Sequence, residues 1–180
     1  MMTDIRSFTT FSEKTEPEML VRILNRYFTR MVAIVHRHNG IVDKFIGDGL
    51  FAVFGLESVD NLNANKNAVS CGAEMLTAVK ELETDLGMPF RIGIGIHYGE
   101  VIGGRIGAKE RLEYTFVGDT VNTSARLEAA NKKANTNMII SQSVYESLDL
   151  PTNDDQWRKL GSLVLKGKKT QIPAYGFKSL

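Results

Sequence analysis

The longest periodic stretch of apolar residues lies in the first quarter of the chain and predicts a helix. Residues 15–18 (TEPE) have the form of a capping box with proline in the first turn. Arg22, Arg26 and Arg30 recur at intervals of four on one face, which we expect to be solvated, and Gly40 is expected to end the helix. The apolar positions recur at intervals of three and four and predict a buried stripe: Leu20, Ile23, Leu24, Tyr27, Phe28, Met31, Val32 and Val35.

The next segment predicts a β-hairpin followed by a second helix. Two apolar arms between residues 41 and 55 flank Gly47-Asp48-Gly49, a sequence that favours a tight turn. The second arm is apolar throughout, so we expect it in the interior of a sheet. The second helix is predicted over residues 63–86 and ends at Gly87. Its inner face carries Ala64, Ala68, Cys71, Met75 and Val79.

Residues 90–97 alternate between large apolar side chains and small or polar ones, which predicts a strand with one packed face. Glycines at 93 and 95 leave the other face nearly bare, so another group can approach the backbone there. Further elements are predicted as a hairpin (101–102 with 114–116), a third helix (120–131), a strand (138–140), a short helix (143–148) and two late strands (159–166 and 174–177). This order predicts an α+β fold, an α/β sandwich with a ferredoxin-like βαββαβ core and extra C-terminal strands.

Composition narrows the classes of function. The 180 residues contain no linker or repeat, so we expect one domain over 1–180, and a net charge of +1 argues against nucleic acid as a partner. No apolar run reaches the ~18 residues of a membrane helix. Cys71 is the only cysteine, which favours a buried thiol in a reducing, cytoplasmic compartment. Only three residues precede Asp4, and we therefore expect a piece excised from a longer protein.

Two acids are candidate metal ligands. Asp4 follows an apolar start, and Asp48 lies at the hairpin tip between two glycines. Each has a conformational explanation when taken singly, because aspartate is common in turns and caps. If adjacent strands place both side by side, a cation has to neutralise them, and oxygen ligands suit Mg²⁺ or Mn²⁺.

The residues after Asp4 are candidates for binding phosphate. Arg6, Ser7 and Thr9 lie where the chain turns from strand to helix, and free backbone N–H groups at such a turn attract phosphate oxygens. Metal ions beside such amides suit a nucleoside triphosphate. On the third helix Asn122 and Arg126 are four residues apart and share a face, although an ordinary surface position remains an alternative for Arg126.

Five segments resemble the catalytic domain of the class III nucleotidyl cyclases, and they follow one another along the chain in the order found in that family. The strongest are residues 43–48 (DKFIGD), 95–101 (GIHYGEV) and 117–126 (VGDTVNTSAR). Residues 3–9 (TDIRSFT) and 165–168 (LKGK) extend the resemblance to nearly the whole chain. It implies the fold of that family and an adenylyl cyclase, in which the 3′-hydroxyl of ATP attacks the α-phosphate to give cyclic AMP and pyrophosphate.

The resemblance implies which residues hold metal and phosphate. Asp4 and Asp48, helped by the carbonyl of Ile5, match the ligands of two Mg²⁺ or Mn²⁺ ions per site. Ser7 stands where glycine is usual in the family. Substrate contacts near the phosphates are implied for Ile5, Arg6, Ser7, Phe8, Thr9 and Arg91.

The remaining roles concern the nucleoside and the reacting phosphate. Asn122 matches the residue that orients the ribose, Arg126 the one that stabilises charge on the α-phosphate, and Lys166 a ligand of the terminal phosphates. Lys44 and Thr115 occupy the pair that reads the base. Lys44 only donates and matches adenine N1, whereas guanine N1–H would face it at a cost of about 1–3 kcal/mol. Thr115 stands where many members carry aspartate, and a hydroxyl both accepts and donates.

The family builds its site across a dimer, so the resemblance implies a homodimer with two equivalent sites. One chain contributes Asp4 and Asp48, and the partner contributes Lys44, Thr115, Asn122, Arg126 and Lys166. A guanylyl cyclase and a non-catalytic nucleotide-sensing or dimerisation module of the same fold remain alternatives. We also expect an upstream regulatory or sensor domain in the full-length chain, and a cytoplasmic location, including as part of a membrane-anchored protein.

Overall fold

The computed structural model describes residues 1–56, 61–151, 154–163 and 171–178, with residues 61 and 62 described by their backbone only. The helices are α1 (Phe8–Glu13), α2 (Pro17–Arg37), α3 (Asn61–Leu86), α4 (Asp119–Ala134) and α5 (Gln142–Glu146). The strands are β1 (Met2–Ile5), β2 (Gly40–Ile46), β3 (Gly49–Phe54), β4 (Ile92–Ile96), β5 (Ile102–Ala108), β6 (Arg111–Val117), β7 (Met138–Ser141), β8 (Trp157–Leu163) and β9 (Ile172–Phe177).

Within the described residues, one sheet has the strand order β2-β3-β1-β4-β7-β9-β8, and β5 pairs with β6 in a separate ribbon. Strand β1 lies antiparallel between β3 and β4, and β4 runs parallel to β7. The succession β1-α2-β2-β3-α3-β4, with the order β2-β3-β1-β4 in space, confirms the predicted ferredoxin-like core. Strands β7, β9 and β8 are the predicted C-terminal extension.

Helices α2 and α3 cover one face of the sheet. The predicted stripe of α2 faces the core, where Tyr27, Met31 and Val35 are fully buried, and Cys71 of α3 is a buried free thiol. The arginine face of α2 is exposed, yet it also links the two helices through ion pairs of Arg26 and Arg30 with acids of α3. No helix in the described part of the chain is long and apolar enough to cross a bilayer.

Both predicted ends of α2 are wrong in detail. Glu16 is the N-cap residue and makes no capping bond with its side chain, while the hydroxyl of Thr15 donates to the carbonyl of Phe11 in α1. At the other end the helix stops at Arg37, and Asn39 takes the left-handed conformation with φ 56°. Gly40 is instead the first residue of β2. Glycine is needed at this position because a Cβ atom there would clash with the side chain of Phe54.

Helix α4 covers the opposite face of the sheet and lies against the glycines of β4. A Cβ atom at Gly95 would clash with the carbonyl oxygen of Ser124 and the backbone nitrogen of Glu128. A Cβ atom at Gly93 would meet the side chains of Glu128 and Arg6. The group that approaches the bare face of this strand is therefore a helix of the same chain.

We predict that Gly95→Ala destabilises the domain by about 1–3 kcal/mol, because α4 has to move away from the sheet. Thermal or urea unfolding measures the loss. Gly104→Ala on β5 is the control, since a Cβ atom there meets nothing within 4 Å. Equal stability of the two variants would contradict the close packing of α4.

Candidate active site

The pairing of β1 with β3 places the two candidate acids side by side. Thr3 pairs with Leu50, so Asp4 lies beside the turn that contains Asp48. The backbone N–H of Ile5 donates to Oδ2 of Asp48 at 3.1 Å. The two carboxyl groups are close enough for a hydrogen bond between them, and both residues are half-buried.

This proximity changes the electrostatics of the pair. Burial, then the charge of Asp48 and then that of Glu128 raise the pKa of Asp4 to about 7. Burial also raises the pKa of Glu128, against the opposing effect of Arg6. Two carboxylates that repel each other in a partly desolvated place suit a divalent cation, which prefers oxygen ligands. The donor set of Asp4 and Asp48 therefore fits Mg²⁺ or Mn²⁺.

The turn between β1 and α1 has a strained backbone. Ser7 takes the left-handed conformation with φ 56°, which a residue with a Cβ atom adopts at a cost of about 1–2 kcal/mol. The first turn of α1 follows, and its N–H groups have no carbonyl partner within the helix. Ser7, Phe8 and Thr9 thus provide backbone donors in the predicted phosphate loop.

The two arginines predicted near the phosphates make other contacts within the chain. The N–H of Arg6 donates to the carbonyl of Arg91 at 2.8 Å, and its guanidinium donates to the carbonyl of Thr136 at 2.9 Å. Arg6 therefore ties β1 to β4 and to the end of α4. Arg91 lines a separate groove of about 560 Å³ that includes Arg158 and has neither Asp4 nor Asp48 in its lining. The phosphate contacts of these two arginines stay a prediction.

The two residues predicted to read the base meet around a third residue. The hydroxyl of Thr115 donates to Oδ2 of Asp43 at 2.7 Å. Nζ of Lys44 lies 3.7 Å from the same oxygen and 3.4 Å from Oε2 of Glu113. The Asp43 side chain is only 2% exposed. Asp43 has no role predicted from the sequence beyond its place in the motif at 43–48.

A bulge in β2 explains how Asp43 joins this cluster. The register against β3 shifts between Val42 and Lys44, which makes Asp43 the extra residue. Neighbouring side chains of a regular strand point to opposite faces, and a bulge re-aims one of them. The available signal was an acid directly before the candidate base-reading lysine, but the bulge itself left no mark in the sequence.

Helix α4 separates two sets of functional candidates. Glu128 is close enough to Asp48 and Arg6 to interact with their charges. Arg126 is two residues away, and at 100° per residue its side chain leaves the helix about 200° around the axis. Arg126 is half-buried, and Asn122, one turn earlier, is exposed. No described residue forms a hydrogen bond or ion pair with Arg126, so the guanidinium is available to an anion.

Glu128 is a second residue that the sequence analysis missed. It lies one turn after Ser124, on the side of α4 that faces the sheet, and this spacing was the available signal. Lys166, predicted to bind the terminal phosphates, lies outside the described residues.

The ribbon of β5 and β6 exposes large apolar side chains. Ile102 is 73% exposed, Tyr114 63% and Leu112 54%. A cluster of apolar side chains in water marks an interaction surface more often than an ordinary exterior.

Two adenylate cyclases are similar in sequence to this chain over nearly its whole length. Adenylate cyclase 1 of Rhizobium meliloti (strain 1021) is 38% identical, over 97% of this chain and 26% of that protein. The adenylate cyclase of Anabaena cylindrica is 32% identical, over 98% of this chain and 36% of that protein. The chain thus spans about a quarter to a third of the length of these relatives.

Solved structures share the fold. The adenylyl cyclase CyaB of P. aeruginosa superimposes with a TM-score of 0.88 at 30% identity, over 99% of this chain and 92% of that one. The guanylyl cyclase Cya2 superimposes with a TM-score of 0.83 at 34% identity, over 98% and 88%. The family model described as the adenylate and guanylate cyclase catalytic domain matches residues 1–178. These likenesses and the placement of the acids agree, and the chain belongs to the family of adenylate and guanylate cyclase catalytic domains.

Proposed function

We propose that this chain converts ATP to cyclic AMP and pyrophosphate, at sites shared between two copies of the chain. The observation that carries the proposal is the pair of carboxyl groups of Asp4 and Asp48, which lie together beside the β1–α1 turn.

The acids and the loop bind the triphosphate. Asp4 and Asp48 would hold two Mg²⁺ or Mn²⁺ ions, and the N–H groups of Ser7, Phe8 and Thr9 would bind phosphate oxygens. The ions supply positive charge to the phosphates and favour ionisation of the attacking 3′-hydroxyl. Arg126 would stabilise the charge that develops on the α-phosphate, and Asn122 would orient the ribose.

Two observations support a site built from two chains. Arg126 and Glu128 leave α4 on opposite sides, and only Glu128 faces the acid pair, so Arg126 of one chain points away from its own acids. The exposed apolar side chains of the β5–β6 ribbon supply a surface that a second copy would bury. In a twofold symmetric homodimer each surface meets its own copy and two equivalent sites form.

Lys44 favours adenine as the base. Its ammonium only donates, which matches adenine N1 and opposes the N1–H of guanine. Named relatives include adenylate cyclases, and structural likenesses include both an adenylyl and a guanylyl cyclase. The choice of ATP over GTP therefore depends on this chain's own residues.

We further propose that the domain is the catalytic part of a longer protein with a regulatory or sensor domain, since it covers 26% and 36% of its named relatives. A nucleotide substrate and the buried free thiol of Cys71 favour the cytoplasm.

The central prediction concerns the reaction itself. With Mn²⁺ or Mg²⁺, the protein should form cyclic AMP from ATP. It should form cyclic GMP from GTP more slowly. The specific activity should rise with protein concentration, because each site needs two chains. Chromatographic assay of both products over a range of protein concentrations measures this. Faster turnover of GTP would make the protein a guanylyl cyclase, and folded protein without either product would refute a cyclase.

A complementation experiment tests whether sites are shared. Asp48→Ala and Arg126→Ala should each abolish most activity, the latter by lowering kcat about 10²–10³-fold. Mixed and re-equilibrated, the two variants should recover about a quarter of wild-type activity, because half the dimers carry one intact site. Inactivity of a mixture in which heterodimers are demonstrated would rule out shared sites.

Divalent cation binding should depend on pH. Because the pKa of Asp4 is raised to about 7, the cation has to displace a proton below that pH. We expect the Mn²⁺ dissociation constant to rise about tenfold per pH unit below 7 and to level off above it. Without metal, the folded state binds this proton more tightly than the unfolded chain does, so stability from Asp4 is lost as the pH rises through about 7.

Calorimetric titration with Mn²⁺ and metal-free thermal unfolding measure both effects. Asp48→Asn should weaken both, because it removes the facing carboxylate. Asp85→Asn, at an exposed acid on α3, is the matched control and should leave both unchanged. An Mn²⁺ affinity that is constant across this pH range would show that the acid pair does not bind the cation.

A further inference from the structure

We propose that Asp43 sets the hydrogen-bonding polarity of the base-reading site. It accepts the hydroxyl proton of Thr115, so that Thr115 presents only acceptor lone pairs to the base. This inference rests on the proposed function, in which Lys44 and Thr115 face the base of the nucleotide. It makes Asp43 a positioning residue that determines specificity through its neighbour.

The geometry fixes which partner donates. Oγ1 of Thr115 lies 2.7 Å from Oδ2 of Asp43, a short hydrogen bond. The hydroxyl of Thr115 is the donor and the carboxyl oxygen of Asp43 is the acceptor. Thr115 is 8% exposed and the Asp43 side chain 2% exposed. Bulk water is therefore largely kept from competing for either group, and a charge-assisted bond of this kind is strong.

The direction of this bond decides what Thr115 offers to a ligand. A hydroxyl has one proton and two lone pairs, and once the proton points to Asp43 only the lone pairs remain. The 6-amino group of adenine is a donor and satisfies them. The 6-oxo group of guanine is an acceptor and would face a second acceptor. Asp43 thereby turns a residue that could accept or donate into one that selects adenine.

The other acid of the cluster does not share this role. Glu113 lies 3.4 Å from Lys44, is half exposed and is also bonded to Arg111. The hydroxyl of Thr115 bonds to Asp43. The buried acid therefore orients Thr115, and both acids hold the ammonium of Lys44.

The test compares adenine with guanine nucleotides on the same protein. We expect Asp43→Ala to lower the ratio of kcat/KM for ATP over GTP about 5- to 30-fold, because Thr115 can then donate to guanine. The ratio of dissociation constants for 3′-deoxy-ATP and 3′-deoxy-GTP, which lack the attacking hydroxyl, should fall similarly. Both ratios are independent of the folded fraction, so a purely structural defect would leave them unchanged. Asp85→Ala is the control for loss of an acid.

A double-mutant cycle shows whether Asp43 acts through Thr115. In Thr115→Val no hydroxyl remains to be oriented, so adding Asp43→Ala should change either ratio much less than it does in the wild-type background; any remaining change would act through Lys44, whose ammonium Asp43 also holds. Independent losses that multiply in the double variant would overturn the inference, as would an unchanged ratio in Asp43→Ala alone. If the alanine variant does not fold, Asp43→Val fills more of the space, offers no acceptor to the hydroxyl of Thr115 and is measured in its place, with the same direction expected.

The two readouts separate this inference from the proposed function. Cyclic AMP formation with an unchanged ratio in the Asp43 variant would overturn the inference and leave the function standing. Selective binding of 3′-deoxy-ATP without any cyclic product would refute the function, and the binding ratios would still decide the role of Asp43. Binding of neither analogue by the wild-type protein would overturn both.

Discussion

The candidate site depends on the antiparallel position of β1 between β3 and β4. That pairing carries Asp4 to the turn between β2 and β3, where the N–H of Ile5 binds the carboxylate of Asp48. The sheet thus holds two acids close together in a partly buried place, where burial and then the charge of Asp48 raise the pKa of Asp4. A cation that relieves this repulsion gains affinity from strain built into the fold.

Helix α4 then divides the remaining functional groups. Its contact with Gly93 and Gly95 is so close that no side chain fits between helix and strand. One flank of the helix carries Glu128 toward the acids, and the other carries Asn122 and Arg126 away from them. Since the helix is packed closely against the sheet, side chains on its two flanks face different surroundings, and this is the physical basis of the proposal that two copies of the chain share each site.

The proposed base-reading cluster depends on a smaller irregularity, the bulge in β2. One extra residue in β2 brings Asp43 beside Lys44 and beneath Thr115, on a strand from another sheet. A hydroxyl that is ambiguous alone acquires a direction from a buried carboxylate. The proposed selectivity for a base thus involves three residues, of which the one in the bulge need not touch the base.

Apolar periodicity and the motifs at 43–48, 95–101 and 117–126 are local signals, and from them most helices and strands, the ferredoxin-like core and the family could be predicted. The short helix α1 is not among the predicted elements. The sequence also named Asp4, Asp48, Lys44 and Thr115 as candidates. Contacts between distant segments set the remaining features: the guanidinium of Arg6 bonds to the carbonyl of Thr136, Arg91 lines a separate groove, and Asp43 and Glu128 lie beside the candidate residues. Bulges, helix rotation and the partners of a charged side chain arise from contacts between distant segments, which no local pattern encodes.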